Sequence, residues 1–430
     1  MPSRPDSHVW HPFTQMRGFE AEDAPVIESG AGTWLVDTEG RRYIDGVSSL
    51  WCNVHGHRHP RIDAAVREQL GRVAHTTMLG LSHPGAEGLA RRLVALAPGA
   101  LSRVFYSDSG STAVEVALKM AFQYWQQAAD RRPSRTSFAY LENSYHGDTI
   151  GSVSLGGIEL FHSMYRPLLF DAHRVPAGDA AALARLLAER GDEIAAVVIE
   201  PLVQGAAGMR LQPPGYLRAV RELCDRHDVF LVCDEVATGF GRTGRMFACE
   251  HEGVAPDFLC LAKGLTGGYM PLAATLATER VYAGFLGEFD EFRTFFHGHT
   301  YTGNPLACAA ATATLDVFEE ERTLDRLQDR ISLLEQLLCD LVAPLPHVKE
   351  VRQLGFMCGI ELGPFEAGAR MGHAATLEAR RRGAIIRPLG DVVVLIPPLS
   401  IAPDVLEELV EIVADSIAAA TESRDLAAAA

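Results

Sequence analysis

Paired cysteines are absent from this sequence. Its eight cysteines are scattered singly and none stands at CxxC spacing, which argues against a disulfide framework and against a zinc site. Isolated cysteines are typical of reduced side chains in the core of a cytoplasmic protein. We therefore expect a cytoplasmic location.

The chain also lacks a long apolar run and a charged-then-apolar signal at its N-terminus. No run approaches the roughly 18 apolar residues that a membrane-spanning helix needs. Positive charge is scarce as well, with 39 Lys and Arg against 55 Asp and Glu, a net charge of -16. This balance argues against nucleic acid and against an anionic membrane surface as partners. Length and hydrophobic content predict a soluble enzyme with a large core.

Two apolar segments end in side chains of opposite charge. Residues 258–262 are apolar, and Lys263 follows them at the start of a glycine-containing loop. Residues 229–233 form a second apolar run, which ends at Asp234. A lone lysine after a strand is usually a solvated surface residue. Together, however, a lysine that binds an aldehyde and an aspartate that keeps a pyridine nitrogen protonated meet the needs of pyridoxal phosphate.

A third apolar strand ends at Glu200, and helical segments separate it from the strand that ends at Asp234. This alternation predicts an α/β fold with a mostly parallel sheet, helices on both faces, and ligands beyond the carboxyl ends of the strands. We predict a large domain over residues 60–319. A smaller α+β domain would combine residues 1–59, including an irregular arm over 1–17, with residues 320–430.

A helix is predicted to begin near Ser111, after the strand and turn in VFYSDSGSTAVEVALKMAFQYW. A helix N-terminus suits a phosphate because it presents unpaired N–H groups and a positive dipole end. An ordinary N-cap serine is the commoner explanation of such a residue on its own. Beside Asp234 and Lys263, the phosphate interpretation is favoured.

Three further residues have two interpretations each. The ring of Tyr145, just beyond a predicted strand, either stacks on a planar cofactor or packs in its own loop. Thr300 either donates to a phosphate or satisfies its own loop. Arg387, between apolar strands, either forms a structural ion pair or anchors a carboxylate, and its planar fork favours the anchor.

A histidine-rich loop, SSLWCNVHGHRHP, raises the question of a metal. His55, His57 and His59 alternate, and Cys52 would be a possible fourth ligand. Their spacing matches no standard zinc pattern, and alternate residues of a loop do not converge reliably. We therefore expect no metal site.

Several long motifs resemble the class III (subgroup II, fold type I) pyridoxal-phosphate-dependent aminotransferases over essentially the whole chain. The motifs specific to the family are CDEVATGFGRTG, LAKGLTGGYMPLAA and HTYTGNPLACAAA. HVWHPFTQM, DGVSSLWCNVHGH, FYSDSGSTAVEVALKMA and YHGDTIGSVSLGG are most similar to members that act in biotin biosynthesis. The resemblance implies transamination of 8-amino-7-oxononanoate to 7,8-diaminononanoate, with S-adenosylmethionine or L-lysine as amino donor.

The resemblance also implies a role for each matching position. Lys263 would carry the cofactor and move the proton, Asp234 would pair with the pyridine nitrogen, and Tyr145 would lie against the ring. The implied cofactor-binding residues are Gly110, Ser111, Tyr145, His146, Glu200, Asp234, Val236, Lys263, His299 and Thr300. The implied substrate-binding residues are Phe13, Leu50, Trp51, Tyr145, Gly298 and Arg387. Thr300 would reach the phosphate from the neighbouring subunit, so that the active sites of a homodimer are shared.

The donor is open, because this chain departs from the members that use S-adenosylmethionine. Those members typically carry a tyrosine where Phe13 stands, a tryptophan where Leu50 stands, and a tyrosine near Val394. A sulfonium cation gains from aromatic faces, so these differences slightly favour L-lysine.

Three other functions remain open. The first is another class III aminotransferase for an ω-amino acid or diamine, because it would share every cofactor motif. The second is a decarboxylase or aminomutase that uses the same cofactor. The third, a non-catalytic binding protein, is disfavoured because Lys263 and Asp234 are both present.

Overall fold

The computed structural model of the chain is organised around a seven-stranded sheet. The strand order across this sheet is Leu101–Ser107, Ala273–Thr278, Phe258–Leu261, Phe230–Asp234, Ile194–Ile199, Ser137–Leu141 and His173–Val175. Strand Ala273–Thr278 is antiparallel to both of its neighbours, and the remaining pairs are parallel. The predicted mostly parallel sheet is therefore confirmed, with one antiparallel strand inserted.

The structure describes residues 8–366 and 368–429, with only the backbone of residues 423–429. Residues 1–7, 367 and 430, which belong to the predicted small domain and include the first seven residues of the predicted arm, lie outside the described residues. Of the arm, residues 8–15 carry no helix or strand, and the first helix begins at Met16.

The large sheet has helices on both faces, as predicted. Successive side chains of strand Phe230–Asp234 belong alternately to two separate hydrophobic clusters, because neighbouring residues of a strand point to opposite faces. Helix Tyr216–His227 contributes to one cluster and helix Gly110–Gln127 to the other. The sheet is thereby buried on both sides.

Three smaller sheets complete the strands. The first joins the two ends of the chain, because its C-terminal strand runs parallel to Arg42–Asp45, and its order is Ile27–Ala31, Trp34–Asp37, Arg42–Asp45, Ala384–Ile385. The second is antiparallel, in the order Val348–Leu354, Met357–Leu362, Val392–Leu395, Arg387–Leu389. The third pairs Val203–Gln204 with Arg210–Leu211.

Most helices follow the apolar periodicity of the sequence. The right-handed α-helices are Met16–Ala21, Pro60–Leu70, Pro84–Leu96, Gly110–Gln127, Ile150–Ser154, Glu159–His162, Ala180–Arg190, Tyr216–His227, Glu279–Ala283, Pro305–Glu320, Thr323–Leu337, Met371–Arg381 and Pro403–Ala429. Shorter turns of 3-10 helix are Ser163–Leu168, Ala248–Glu252, Lys263–Thr266 and Phe289–Glu291, and Leu338–Val342 is a π-helical turn. Within the part of the chain that the structure describes, no helix is both long and apolar enough to cross a membrane.

Candidate active site

A cavity of about 770 Å³ lies at the carboxyl ends of the central parallel strands. Glu200, Asp234 and Lys263 each follow or end one of three neighbouring strands, and all three line this cavity. The three strand-end side chains identified in the sequence are therefore brought together, as expected where parallel strands share one edge.

Lys263 is half-buried, and its Nζ has no hydrogen-bond or ion-pair partner among the described residues. Its Nζ lies 4.7 Å from the centre of the Trp51 ring. Burial lowers the pKa of Lys263 below its ordinary value, and the charges of Asp234 and Glu200 oppose burial only in part. A lysine in this environment can be a neutral amine, the form that attacks an aldehyde.

Asp234 is a buried carboxylate held by two donors. His146 Nδ1 lies 2.7 Å from Asp234 Oδ2, and the Val236 N–H donates to Oδ1 at 3.1 Å. Burial lowers the pKa of His146, but its hydrogen bond to Asp234 and the charge of Glu200 outweigh burial, so the pKa is raised overall. The hydrogen bond to His146 orients the Asp234 carboxylate in the cavity, where a cationic ring nitrogen would be its natural partner.

Glu200 ties the loop that carries Tyr145 to the end of its strand. One carboxylate oxygen accepts from the Tyr145 N–H and the other from the Gly205 N–H, both at 3.0 Å. Burial raises the pKa of Glu200 to about 7, although the charge of His146 and the two N–H groups act in the opposite direction. Glu200 therefore titrates near neutral pH.

The helix Gly110–Gln127 begins at the wall of the cavity. The Ser109 hydroxyl caps the Thr112 N–H at 3.3 Å, which leaves the N–H groups of Gly110 and Ser111 without a partner within the helix and able to bind an anion. A Cβ on Gly110 would lie 2.5 Å from Val236 Cγ1, so only glycine fits this close approach. The Ser111 hydroxyl is already bonded to Thr149, at 2.7 Å from its hydroxyl and 3.0 Å from its nitrogen. We therefore assign anion binding here to the backbone rather than to that hydroxyl.

These groups fit pyridoxal phosphate. The amine of Lys263 suits the aldehyde, the carboxylate of Asp234 suits the pyridine nitrogen, and the free N–H groups at the helix start suit the phosphate. The Tyr145 ring, which lines the same cavity, adds an aromatic surface. Its hydroxyl donates to Asp148 Oδ2 at 2.7 Å, and this bond fixes the ring at the wall.

An aromatic wall of Phe13, Tyr145 and Phe161 borders the cavity. Phe161 meets Phe13 edge-on at 5.4 Å and Tyr145 at 6.3 Å between ring centres. Sequence reasoning found Phe13 and Tyr145 but missed Phe161, because a single phenylalanine in a loop carries no periodic signal. The four-residue helix Glu159–His162 is what turns it toward the cavity.

Arg387 also lines the cavity, and it is half-buried. Its guanidinium has no ion-pair or hydrogen-bond partner among the residues described. Burial lowers the pKa of Arg387, and the nearby Tyr145 opposes this effect. An arginine remains charged in such surroundings, so an unpaired one supports the carboxylate-anchor interpretation over a structural ion pair.

Leu50 and Trp51, also predicted in the substrate set, line the cavity from an unusual turn. Ser48, Ser49, Leu50 and Trp51 have φ values of 50°, 47°, 78° and 69°. The Trp51 N–H bonds to the Val47 carbonyl at 2.7 Å, so these residues form a left-handed helical turn. Left-handed helix costs L residues about 1–2 kcal/mol each. Sequence reasoning could not find this turn, since it contains no glycine.

Three predicted residues do not reach the cavity of their own chain. Gly298, His299 and Thr300 line a second groove of about 1360 Å³, together with residues of strand Leu101–Ser107. They do not line the cavity that contains Lys263.

The histidines of the loop have separate partners. His55 Nε2 lies 3.1 Å from the Thr314 carbonyl, His57 Nε2 lies 2.8 Å from Asp45, and His59 Nε2 lies 3.0 Å from Glu321. Over residues 8–366 and 368–429, no three His, Cys, Asp or Glu side chains gather as a metal site would require.

Comparison with known proteins identifies the family. The model for the class III aminotransferases matches residues 19–417. The adenosylmethionine-8-amino-7-oxononanoate aminotransferase of Nitratidesulfovibrio vulgaris (strain Hildenborough) is 59% identical, over 97% of this chain and 81% of that protein. The crystal structure of the aminotransferase of that name from Methanocaldococcus jannaschii superposes with a TM-score of 0.92, at 41% identity, over 95% of this chain and 96% of that chain.

A second solved structure is a transaminase with its cofactor. It is a PLP-bound amine transaminase from an uncultivated Pseudomonas species, at a TM-score of 0.88 and 36% identity, covering 96% of this chain and 99% of that chain. The family match spans nearly the whole chain, and the cavity carries the groups that this cofactor needs. The chain therefore belongs to the class III aminotransferases, which depend on pyridoxal phosphate.

Proposed function

We propose that this aminotransferase converts 8-amino-7-oxononanoate to 7,8-diaminononanoate in biotin biosynthesis. The observation that carries the proposal is the unpaired Arg387 in the same cavity as Lys263 and Asp234. It offers a binding site for the substrate carboxylate beside the groups that move the amine. The names of relatives at 59% and 50% identity support this substrate.

In the proposed mechanism, Lys263 Nζ removes a proton from the amine-bearing carbon of the donor. In the second half-reaction Lys263 returns a proton to the carbon that was the ketone of 8-amino-7-oxononanoate. Pyridoxal phosphate, when bound, supplies an electron sink for the negative charge at that carbon. The lowered pKa of Lys263 suits this task, because the amine must accept a proton in one half-reaction and give it up in the other.

The other residues of the cavity hold the cofactor and orient the substrate. Asp234, oriented by its hydrogen bond to His146, would keep the cofactor nitrogen protonated. Arg387 binds the carboxylate of the keto acid, and the aromatic wall of Phe13, Tyr145 and Phe161 shields the apolar chain from water. The site thus fixes one end of the substrate by charge and its middle by burial.

Two residues that line the cavity bear on the choice of amino donor. Phe13 offers a ring without a hydroxyl, and Leu50 offers an aliphatic surface where an aromatic face would favour a sulfonium. This lining slightly favours L-lysine over S-adenosylmethionine, and both donors remain in the proposal.

We also propose a homodimer with shared active sites. Gly298, His299 and Thr300 lie in a groove on their own chain, away from Lys263, so they would complete the site of a second copy. All eight cysteines are free thiols, which supports the expected cytoplasmic location.

The experiment is product formation from 8-amino-7-oxononanoate with each donor offered alone. Diaminononanoate formed with L-lysine or with S-adenosylmethionine supports the reaction, and the relative rates identify the donor. No product with either donor contradicts it. A second candidate function, amine transamination of an ω-amino acid or diamine, then takes precedence, because the PLP-bound amine transaminase shares the fold at 36% identity.

A further inference from the structure

The left-handed turn Ser48–Trp51 is a strained element of the active site. Its four residues all have a positive φ, and none of them is glycine. L residues visit this region singly and rarely form a run in it. Contacts outside the turn must therefore hold it in place.

The first of these contacts is the buried carboxylate of Asp45, at the end of strand Arg42–Asp45. Asp45 Oδ1 accepts from the Ser49 N–H at 2.8 Å, and Oδ2 accepts from the Ser49 hydroxyl at 2.8 Å. His57 Nε2 lies 2.8 Å from the same Oδ2. His57 is itself fixed, because its backbone exchanges two hydrogen bonds with Gly32, at 2.9 and 2.7 Å.

Further contacts tie the two ends of the turn to the C-terminal part of the chain. The Ser48 hydroxyl donates to the Ile396 carbonyl at 2.7 Å. Beyond the turn, the buried Arg242 donates to the carbonyls of Asn53 and Pro397, both at 2.9 Å. With its ends fixed in this way, the middle of the turn is held by two side chains: Asp45 binds the Ser49 N–H and hydroxyl, and Cys52 Sγ donates to the Ser49 carbonyl at 3.4 Å.

The turn carries Trp51, whose ring covers Lys263 at 4.7 Å. The other edge of the ring packs on Gly205, where an added Cβ would lie 3.1 Å from Trp51 Cζ3. The Gly205 N–H in turn holds Glu200. A shift of the turn would therefore move the ring away from Lys263 and loosen the contact beneath Glu200.

We propose that Asp45 and His57 are positioning residues that hold the left-handed turn and so keep Trp51 over Lys263. Neither residue lines the cavity, so each acts through the turn. The catalytic consequence rests on the proposed function, whereas the position of the ring does not. The two are tested by different measurements.

The test uses the full-length protein freed of cofactor, because its lysines can then be acylated and quantified by peptide mass spectrometry. The sequence has three lysines, so Lys119 and Lys349 are internal references for Lys263. Asp45→Ala should raise the acylation rate of Lys263 severalfold relative to both references. Asp45→Asn, which keeps one acceptor, should raise it less. Trp51→Ala removes the ring altogether, so its acylation rate at Lys263 is the upper limit for the other variants.

A second substitution, to glycine within the turn, distinguishes a local effect on the turn from a general loss of protein stability. Ser49→Gly added to Asp45→Ala should restore protection of Lys263, because glycine adopts positive φ without strain. Ser49→Ala in the same background should not. If Asp45→Ala does not fold, the two single Ser49 variants make the same comparison, with more exposure of Lys263 in Ser49→Ala than in Ser49→Gly.

Two outcomes would overturn the proposal: an unchanged acylation rate at Lys263, or a rise that is equal at all three lysines. In the loaded enzyme, Asp45→Ala should lower kcat/KM for transamination by up to about 100-fold, the loss that a misplacement near 1 Å can cause. Failure of that assay in the wild-type protein would contradict the proposed function and leave the acylation result standing.

Discussion

Glu200 shows how one buried group makes stability depend on pH. Burial raises its pKa from 4.5 to about 7. The folded protein therefore binds a proton that the unfolded chain releases between about pH 4.5 and pH 7. This contribution to stability is fully present below about pH 4.5 and is lost as the pH rises through 7.

We expect the cofactor-free wild-type protein to lose about 2–3 kcal/mol more unfolding free energy than Glu200→Gln between pH 5 and pH 8. The two proteins are compared by the change in unfolding free energy between the two pH values. The absolute values differ for another reason, because glutamine also disturbs one backbone hydrogen bond at every pH. Urea unfolding of both proteins at the two pH values measures it. Parallel pH profiles would contradict the raised pKa.

Arg387 is expected to act on substrate binding alone. Arg387→Ala removes a charged hydrogen-bond donor worth about 1.5–3 kcal/mol, so the KM for the keto acid should rise by roughly 10- to 100-fold. Cofactor affinity should stay as in the wild type. A ketone analogue without the carboxylate is the control, since it should react equally in both proteins. A lower kcat at unchanged KM would place Arg387 elsewhere in the mechanism.

At the scale of elements, the start of helix Gly110–Gln127 is predicted to control cofactor affinity. Gly110→Ala places a Cβ 2.5 Å from Val236 Cγ1, so the helix or its neighbour must move, at about 1–3 kcal/mol. Dialysis and absorbance should show weaker binding of pyridoxal phosphate. Adding Val236→Ala should recover much of the loss, because both crowding methyl groups are removed.

The matched control for this prediction is Gly88→Ala in helix Pro84–Leu96. A Cβ there meets only Arg91 Nη2, at 3.9 Å. Alanine should stabilise that helix slightly and leave cofactor binding unchanged. Equal effects of the two substitutions would show that general helix stability, rather than the cavity wall, decides affinity.

Elements with strong local signals could be predicted from the sequence. The strands before Glu200, Asp234 and Lys263 are continuous apolar runs, and the polar residue that ends each run lies at the cavity. Strand Ala273–Thr278 lies antiparallel between Phe258–Leu261 and Leu101–Ser107, which are far apart in the sequence. The composition of a strand does not specify which distant strand it pairs with. The turn Ser48–Trp51 depends on Asp45 and His57, whose convergence no local pattern shows. Phe161 likewise depends on a short helix.

For the whole molecule, the proposed homodimer can be tested by mixing subunits of two variants. Lys263→Ala and Thr300→Ala proteins are each expected to be impaired alone. If Thr300 serves the site of the partner, a mixed dimer contains one site with both residues intact. Activity after mixing and reassembly should therefore exceed the sum of the parents. Sedimentation should give a mass near twice the 46.7 kDa of the chain.

No recovery on mixing, with mixed dimers shown to form, would contradict the shared site. The division of the chain at residues 59 and 319 stays a prediction. The pairing of strands Arg42–Asp45 and Ala384–Ile385 in one sheet supports a small domain built from both chain ends.

We propose that Lys263 is the residue that binds pyridoxal phosphate for transamination. The most direct measurement is to load the protein with the cofactor, reduce it with borohydride, and locate the added mass by peptide mass spectrometry. With three lysines in the chain, the assignment is unambiguous. We predict that the label is found on Lys263 alone. When a competent amino donor is added before the reduction, Lys263 should remain unlabelled. A label on Lys119 or Lys349, or no label, would contradict the assignment of this cavity as the active site.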